Sequence, residues 1–84
     1  MKDIKIGIIV ADVEEYEPFA ERVEKGEYEK YSFLGRKGHK FNVTTKNGRA
    51  EVISVLSGIG KVNATAVASH LLTVGCGIIL NYGL

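Results

Sequence analysis

The sequence predicts an α/β fold, a mixed β-sheet flanked by helices in the order β-α-β-β-β-α-β. Two apolar strands are each followed by a helical pattern, which is typical of parallel strands joined across the face of a sheet. Between these two units lie an alternating strand and the dipeptide Asn47-Gly48, a strong signal for an antiparallel hairpin. The 84 residues allow one small domain.

The first strand and helix occupy the start of the chain. Ile4–Ala11 begins with alternation and becomes continuously apolar, as in a strand buried on both faces. Gly7 within this strand indicates close approach by a neighbouring element. Asp12 is placed to cap a helix over Val13–Lys25, and Glu15 follows three residues later as a capping-box residue.

The interior of this first helix has an apolar face and one proline. Tyr16, Phe19 and Val23 share the apolar face. Pro18 falls late for a first turn, so we expect a helix start that is irregular or shifted toward Glu17.

The middle of the chain predicts three short strands. Tyr31–Leu34 is followed by a turn over Gly35–Gly38, and His39–Lys46 alternates as a half-exposed antiparallel strand should. After the Asn-Gly turn, Ala50–Leu56 returns as its apolar partner. His39 lies near a turn and is expected to be solvated, as is the basic segment Arg36–Lys40.

A glycine-rich turn, Gly58-Ile59-Gly60, separates this returning strand from the second helix. Such a turn exposes backbone N–H groups at a helix N-terminus, and Ser57 adds a hydroxyl at the carboxyl end of a strand. Val55 stands where a P-loop needs its first glycine, which excludes that motif. Asn63 stands where a dinucleotide fingerprint needs its third glycine, so a Rossmann cofactor site is weakly supported, and no cofactor is expected.

The second helix and the last strand are both strongly apolar. The pattern predicts a helix over Lys61–Val74, buried on more than one side and ended by Gly75. Ile78–Asn81 then reads as a strand apolar enough to be central, with no crossover helix after it. The pattern therefore predicts a fragment, or a chain completed by another subunit.

Composition narrows the class of protein. Eleven basic and ten acidic residues leave a net charge of +1, which with no basic stripe predicts no nucleic-acid partner. No apolar run is long enough for a membrane helix and no signal peptide is recognised, so a cytoplasmic protein is expected. Cys76 is the single cysteine and is predicted to be a buried hydrophobe. His70 is expected to be a satisfied helix residue, and no metal site is predicted.

Three segments resemble one enzyme family. Lys5–Glu15, Leu56–Ala64 and Ile78–Leu84 resemble the N-terminal part of the 5′-methylthioadenosine/S-adenosylhomocysteine nucleosidases, which belong to the purine nucleoside phosphorylase superfamily. The resemblance implies that residues 1–84 form a single N-terminal fragment of an incomplete nucleoside phosphorylase-like α/β domain. It spans about the first third of such an enzyme.

The resemblance implies a catalytic carboxylate, Glu15, which would activate the water that cleaves the N-glycosidic bond. Its alternative role is that of a carboxylate that stabilises the helix N-terminus. The resemblance also implies a substrate-binding crevice formed by five residues: Asp12, Ser57, Gly58, Ile59 and Gly60. Among these, Ile59 would line the pocket for the 5′-alkylthio group. The residues that hold the ribose and adenine lie outside the matched third, so the chain alone is not expected to hydrolyse a nucleoside.

Other functions remain open at this point. Tyr82 and Leu84 depart from the Thr and Ser that the family carries there. The phosphorylase branch needs arginines around phosphate, and this chain instead has acidic residues after its first strand, which favours a hydrolase. Futalosine-type hydrolases share the same signatures. A non-catalytic module that self-associates, as a dimer or by strand exchange, is the alternative of a different class.

Overall fold

A five-stranded sheet with one helix on each face forms the architecture of the chain. The computed structural model describes residues 4–46, 48–58 and 61–82. The elements in chain order are β1 Ile4–Val10, α1 Val13–Glu24, β2 Glu29–Phe33, β3 Arg36–Thr45, β4 Gly48–Leu56, α2 Lys61–Thr73 and β5 Ile78–Tyr82. The predicted fold class and element order are confirmed.

The sheet is mixed, with the strand order β2-β3-β4-β1-β5. β1 lies between β4 and β5 and is parallel to both, whereas β2, β3 and β4 form an antiparallel meander. This position explains why β1 is continuously apolar from Ile6 to Val10, since both of its edges and both of its faces are covered there.

The two helices pack on opposite faces of the sheet. Val10 clusters with Tyr16 and Ala20 of α1, whereas Ile9 clusters with the α2 residues Val67 and Leu71. Because successive strand residues point to opposite faces, these neighbouring positions in β1 separate the two helices. The result is a three-layer arrangement with the sheet in the middle.

Gly7 provides the close approach that the sequence predicts. A Cβ at this position would lie 2.8 Å from Leu71 Cδ1 and 3.2 Å from Leu71 Cβ. The absence of a side chain therefore lets α2 pack directly onto β1.

The β2–β3 hairpin is tighter than predicted. Phe33 pairs with Arg36, so the loop contains only Leu34 and Gly35, whose φ angles of 50° and 76° are both positive. Two consecutive positive φ angles are typical of the type I′ turn that matches strand twist. The predicted turn over Gly35–Gly38 is wrong, because β3 already begins at Arg36. The second predicted hairpin is present, with Thr45 paired to Gly48; Asn47 lies outside the described residues.

The start of α1 is regular, contrary to the expectation that Pro18 would disturb it. The helix begins at Val13 and continues through Pro18, which is exposed. Pro18 has no backbone N–H, so the Glu14 carbonyl oxygen lacks its helical donor. This part of the helix is exposed, and water can donate to that carbonyl instead. Asp12 at the N-cap sets the helix start instead.

The second helix is buried on one face only, which corrects the prediction of burial on several sides. Val67 and Leu71 are fully buried, whereas Leu72 is 61% exposed. β5 is the edge strand of the described sheet, and its completion by a further element or another subunit stays a prediction. Ile78, Leu80 and Tyr82 lie on one face of that edge and are each about half exposed.

Candidate active site

The carboxyl ends of three parallel strands meet at one edge of the sheet. Val10 at the end of β1 is in register with Leu56 of β4 and with Tyr82 of β5. Loops that follow such adjacent strand ends form the usual ligand crevice of α/β proteins. The predicted site residues Asp12 and Ser57 follow two of these ends directly.

Asp12 caps α1. Its carboxylate Oδ1 accepts a hydrogen bond of 2.9 Å from the Glu14 backbone N–H, and its carbonyl oxygen accepts from the N–H groups of Glu15 and Tyr16. These bonds satisfy donors that the first helical turn would otherwise leave unpaired. Asp12 therefore has a clear structural role at the rim of the crevice.

Glu15 lies half-buried in the first turn of α1. The capping-box contact that its position predicts, from its side chain back to the Asp12 backbone, is not formed. Among the residues that the structure describes, its carboxylate has no hydrogen-bond or ion-pair partner. A half-buried carboxylate without a protein partner, placed where the helix dipole favours negative charge, can accept a proton from a bound water.

Ser57 and Gly58 form the start of the loop after β4. The Ser57 backbone N–H donates to the Val10 carbonyl oxygen at 2.8 Å, which ties this loop to the end of β1. The Ser57 hydroxyl is buried and donates to the Gly58 carbonyl oxygen at 2.9 Å. Gly58 has φ of 87°, a conformation that glycine adopts without strain. The predicted site residues Ile59 and Gly60 lie outside the described residues.

Arg36, the first residue of β3, lies beside this loop and corrects the expectation that the segment Arg36–Lys40 is a solvated turn. Its Nε donates to the Ser57 carbonyl oxygen at 3.1 Å, and one of its terminal nitrogens donates to Asn63 Oδ1 at 2.8 Å. The guanidinium therefore links the loop after β4 to the first turn of α2. The signal was available in the pairing of β3 with β4, because antiparallel register places Arg36 beside the end of β4.

The histidines were predicted with mixed success. His70 lies in the last turn of α2, where it stacks on Phe33 with ring centroids 3.9 Å apart and forms a hydrogen bond with Tyr31, as expected for a satisfied helix residue. His39 was expected to be solvated but is only 2% exposed. It is buried because the tighter hairpin places it inside β3, facing α1.

Neither a metal cluster nor a membrane span is found in the part of the chain that the structure describes. Within residues 4–46, 48–58 and 61–82, no three His, Cys, Asp or Glu side chains lie close enough together to hold a metal ion. No helix in those ranges is long and apolar enough to cross a bilayer. Cys76 is buried, as predicted, and burial raises the pKa of its thiol.

The family of the chain follows from a match that covers nearly all of it. The family model of the phosphorylase superfamily matches residues 5–84. This chain belongs to the phosphorylase superfamily. Comparison with curated proteins finds no match.

Solved structures of the superfamily share this fold. A putative 5′-methylthioadenosine/S-adenosylhomocysteine nucleosidase from Francisella philomiragia is 28% identical, with a TM-score of 0.76 over 95% of this chain. A Helicobacter pylori nucleosidase variant with 5′-methylthioadenosine in its active site is 33% identical, with a TM-score of 0.73 over the whole chain. The futalosine hydrolase of Helicobacter pylori is also 33% identical, with a TM-score of 0.72 over 96% of the chain.

This member of the phosphorylase superfamily is short beside these relatives. It covers 33% of the Francisella structure and 34% of the Helicobacter nucleosidase. The chain therefore spans about a third of the length of these two solved relatives.

Proposed function

We propose that this chain supplies the water-activating side of a purine nucleosidase that hydrolyses the N-glycosidic bond of 5′-methylthioadenosine or S-adenosylhomocysteine. The observation that carries the proposal is the position of Glu15. Its carboxylate has no hydrogen-bond or ion-pair partner within residues 4–46, 48–58 and 61–82. Glu15 lies in the first turn after β1, at the edge where the Ser57–Gly58 loop follows β4.

The chemistry of glycosidic cleavage needs such a group. The reaction passes through a state in which positive charge develops on the sugar, and a carboxylate can orient the attacking water and accept its proton. Asp12 holds the helix that carries Glu15, and Ser57 and Gly58 form one wall of the crevice. Ile59 and Gly60 are proposed to extend that wall toward the 5′-alkylthio group.

A hydrolase is favoured over a phosphorylase by the charges at this edge. Asp12, Glu14 and Glu15 are all acidic and would repel a phosphate dianion. The nearest arginine on α1 is Arg22 in the last turn, about 10 Å farther along the helix axis. Phosphate recognition usually relies on arginine, and α1 presents none at the crevice. Arg36 lies beside the Ser57–Gly58 loop, but its guanidinium already donates to the Ser57 carbonyl oxygen and to Asn63 Oδ1.

A futalosine-type hydrolase is a second candidate within the same superfamily. The identity to the Helicobacter futalosine hydrolase equals that to the Helicobacter nucleosidase. Both candidates use hydrolysis, so they differ in substrate and share the proposed role of Glu15.

The test is a chimera in which this chain replaces the corresponding first third of the Helicobacter nucleosidase. We expect it to release adenine from 5′-methylthioadenosine without phosphate. Glu15→Gln should lower kcat by about a hundredfold or more, in the range of general-base catalysis. Glu14→Gln is the matched control, because Glu14 is an exposed neighbour on the same helical turn.

The outcomes separate the candidates. A folded chimera that is active with Glu15→Gln would refute the role of Glu15, and activity that requires phosphate would identify a phosphorylase. Release of the base from futalosine, with no turnover of 5′-methylthioadenosine, would favour the second candidate. We expect the isolated 84-residue chain to release no adenine, and turnover by the pure chain would contradict that expectation.

A non-catalytic, self-associating module remains the candidate of another class. It is supported by the apolar strip on β5, where Ile78, Leu80 and Tyr82 are about half exposed along an edge strand. Light scattering on the pure chain measures this property directly. A dimer or larger assembly would support self-association, and a folded monomer would refute it.

A further inference from the structure

A chain of buried polar side chains lies under α1, away from the proposed catalytic carboxylate. Tyr16, His39 and Ser54 are 1%, 2% and 0% exposed, and Glu24 lies at the surface end of the chain. Polar groups buried this deeply are costly unless each finds a partner. Among the described residues, no buried side-chain nitrogen or oxygen lacks one.

His39 is the centre of this chain. Its Nδ1 lies 2.6 Å from the Tyr16 hydroxyl, and its Nε2 lies 2.7 Å from Glu24 Oε2. Tyr16 and Glu24 are about two turns apart on α1, which is about 12 Å of helix axis. One imidazole on β3 therefore holds the helix near both of its ends.

The hydrogen bonds of this chain can run in either direction. With neutral His39, Nε2–H donates to Glu24 and Nδ1 accepts from Tyr16, whose oxygen lies 3.1 Å from the Ser54 hydroxyl and can accept from it. With a second proton on His39, Nδ1–H donates to Tyr16, Tyr16 donates to Ser54, and Ser54 donates to the His39 carbonyl oxygen 3.4 Å away. Both arrangements leave every buried group with a partner.

Two lysines near the imidazole favour the ionised form of the Glu24 carboxylate, which accepts the hydrogen bond from His39. Lys30 is paired with His39 across β2, and Lys37 precedes it on β3. The hydrogen bond from His39 lowers the pKa of the Glu24 carboxyl group, and the two lysines lower it further. The Tyr28 ring covers the other side of the imidazole, with centroids 5.4 Å apart.

The buried apolar cluster on the α1 face of the sheet is smaller than the one on the α2 face. Of the described residues, Val10, Tyr16 and Ala20 are its buried members, whereas the cluster on the α2 face has six buried members, Val67 and Leu71 of α2 among them. A helix with so small an apolar contact depends more on its polar anchor.

We infer that His39 is a positioning residue, which holds α1 against the sheet and thereby fixes Glu15 at the crevice. The role given to Glu15 rests on the proposed function; the anchoring of α1 does not. Glu15 directly precedes Tyr16 in the sequence, so release of the Tyr16 hydroxyl frees the turn that carries the carboxylate. Small displacements of a catalytic group are enough to reduce turnover strongly.

The first test is amide hydrogen exchange on the 84-residue chain. Tyr16→Phe removes the hydroxyl that lies against His39 Nδ1, and Glu24→Leu removes the carboxylate that accepts from His39 Nε2–H and keeps a side chain of similar size. We expect about tenfold faster exchange of α1 amides, that of Glu15 included, with less than about a twofold change in α2. Tyr82→Phe and Glu21→Leu are the controls, because the Tyr82 and Glu21 side chains are exposed. Equal changes in both helices, or no change, would overturn the inference.

The second test uses the chimera described above. Tyr16→Phe and Glu24→Leu should lower kcat by about tenfold with little change in KM, because they displace Glu15 without touching the substrate. Faster exchange in α1 with kcat unchanged would overturn the positioning of Glu15. If the parent chimera fails to hydrolyse 5′-methylthioadenosine, the proposed function fails, and the exchange experiment still decides whether His39 anchors α1.

Discussion

Gly38 is a position where one added methyl group should strongly destabilise the fold. It lies in β3 with Tyr31 of β2 on one side and Val55 of β4 on the other. A Cβ built on Gly38 would lie 2.5 Å from the Ser54 carbonyl oxygen and 3.3 Å from the Tyr31 carbonyl oxygen. Both are backbone atoms, which cannot rotate away as the end of a side chain can. Gly38→Ala therefore has to separate β3 from β4.

The size of the effect follows from these distances. Relief to an ordinary contact of 3.4 Å requires a shift of about 0.9 Å. Overpacking of this kind costs about 1–3 kcal/mol, and two weakened ladder hydrogen bonds add about 1 kcal/mol each. A loss of about 3–5 kcal/mol is large against the roughly 4–13 kcal/mol expected for a domain of this length. It should lower Tm by about 15 °C or more.

Thermal and urea unfolding followed by circular dichroism would measure the loss. Gly77→Ala is the matched control, because no heavy atom lies within 4 Å of a Cβ at Gly77. It should stay within about 0.5 kcal/mol of the parent chain. A Gly38→Ala variant that unfolds within 1 kcal/mol of the parent (roughly 5 °C in Tm) would refute the reasoning from the Ser54 contact.

Three further predictions concern the core and the dependence on pH. Leu71→Ala should cost about 3–4 kcal/mol by urea unfolding, because Leu71 is fully buried against β1; a loss below 1 kcal/mol would contradict that packing. Burial raises the pKa of Tyr16 above 10.0, so its contribution to stability is complete below about pH 10 and is lost as the pH rises through the folded-state pKa. The urea midpoints at pH 8 and pH 11 should differ less in Tyr16→Phe than in the parent chain. Part of the alkaline loss of stability remains in the variant, because burial also raises the pKa values of Tyr31 and Cys76. An unchanged difference between the two midpoints would exclude Tyr16 as a source of that loss. The hydrogen bond from His39 lowers the pKa of Glu24 below 4.5, so the contribution of Glu24 to stability is present above pH 4.5 and is lost as the pH falls through the folded-state pKa. The urea midpoints at pH 7 and pH 3 should therefore lie closer together in Glu24→Gln than in the parent chain. An equal fall of the midpoint in both proteins would exclude Glu24 as a source of the acid dependence.

The sequence predicts those features that short segments determine alone. The continuous apolar run of β1 indicates a strand with neighbours on both edges, and the structure places it between β4 and β5. Asp12 is recognisable as a helix cap from its residue type and position. Gly7 is recognisable as a point of close approach from its place within an apolar strand. The resemblance to one family adds the candidate site residues, and the chemical roles of these residues stay predictions.

The features that sequence reasoning missed depend on distant partners. His39 is polar and close to a turn, which favours exposure, but its burial depends on Tyr16 and Glu24 of α1. One local signal pointed the right way, because His39 is in phase with Phe41 on the strand face that packs against α1. Arg36 was missed for the same reason, since its acceptors lie on β4 and α2.

The placement of β1 has a consequence for the order in which the chain acquires its structure. β2, β3 and β4 are joined by short turns and can form as they leave the ribosome, because their contacts are local. β1 is synthesised before them, yet Ile4 pairs with Ala50 and Ile6 with Ile78. β1 therefore waits for its neighbours until β4 and β5 have been made, as an unpaired apolar segment that a chaperone or a second nascent chain can capture.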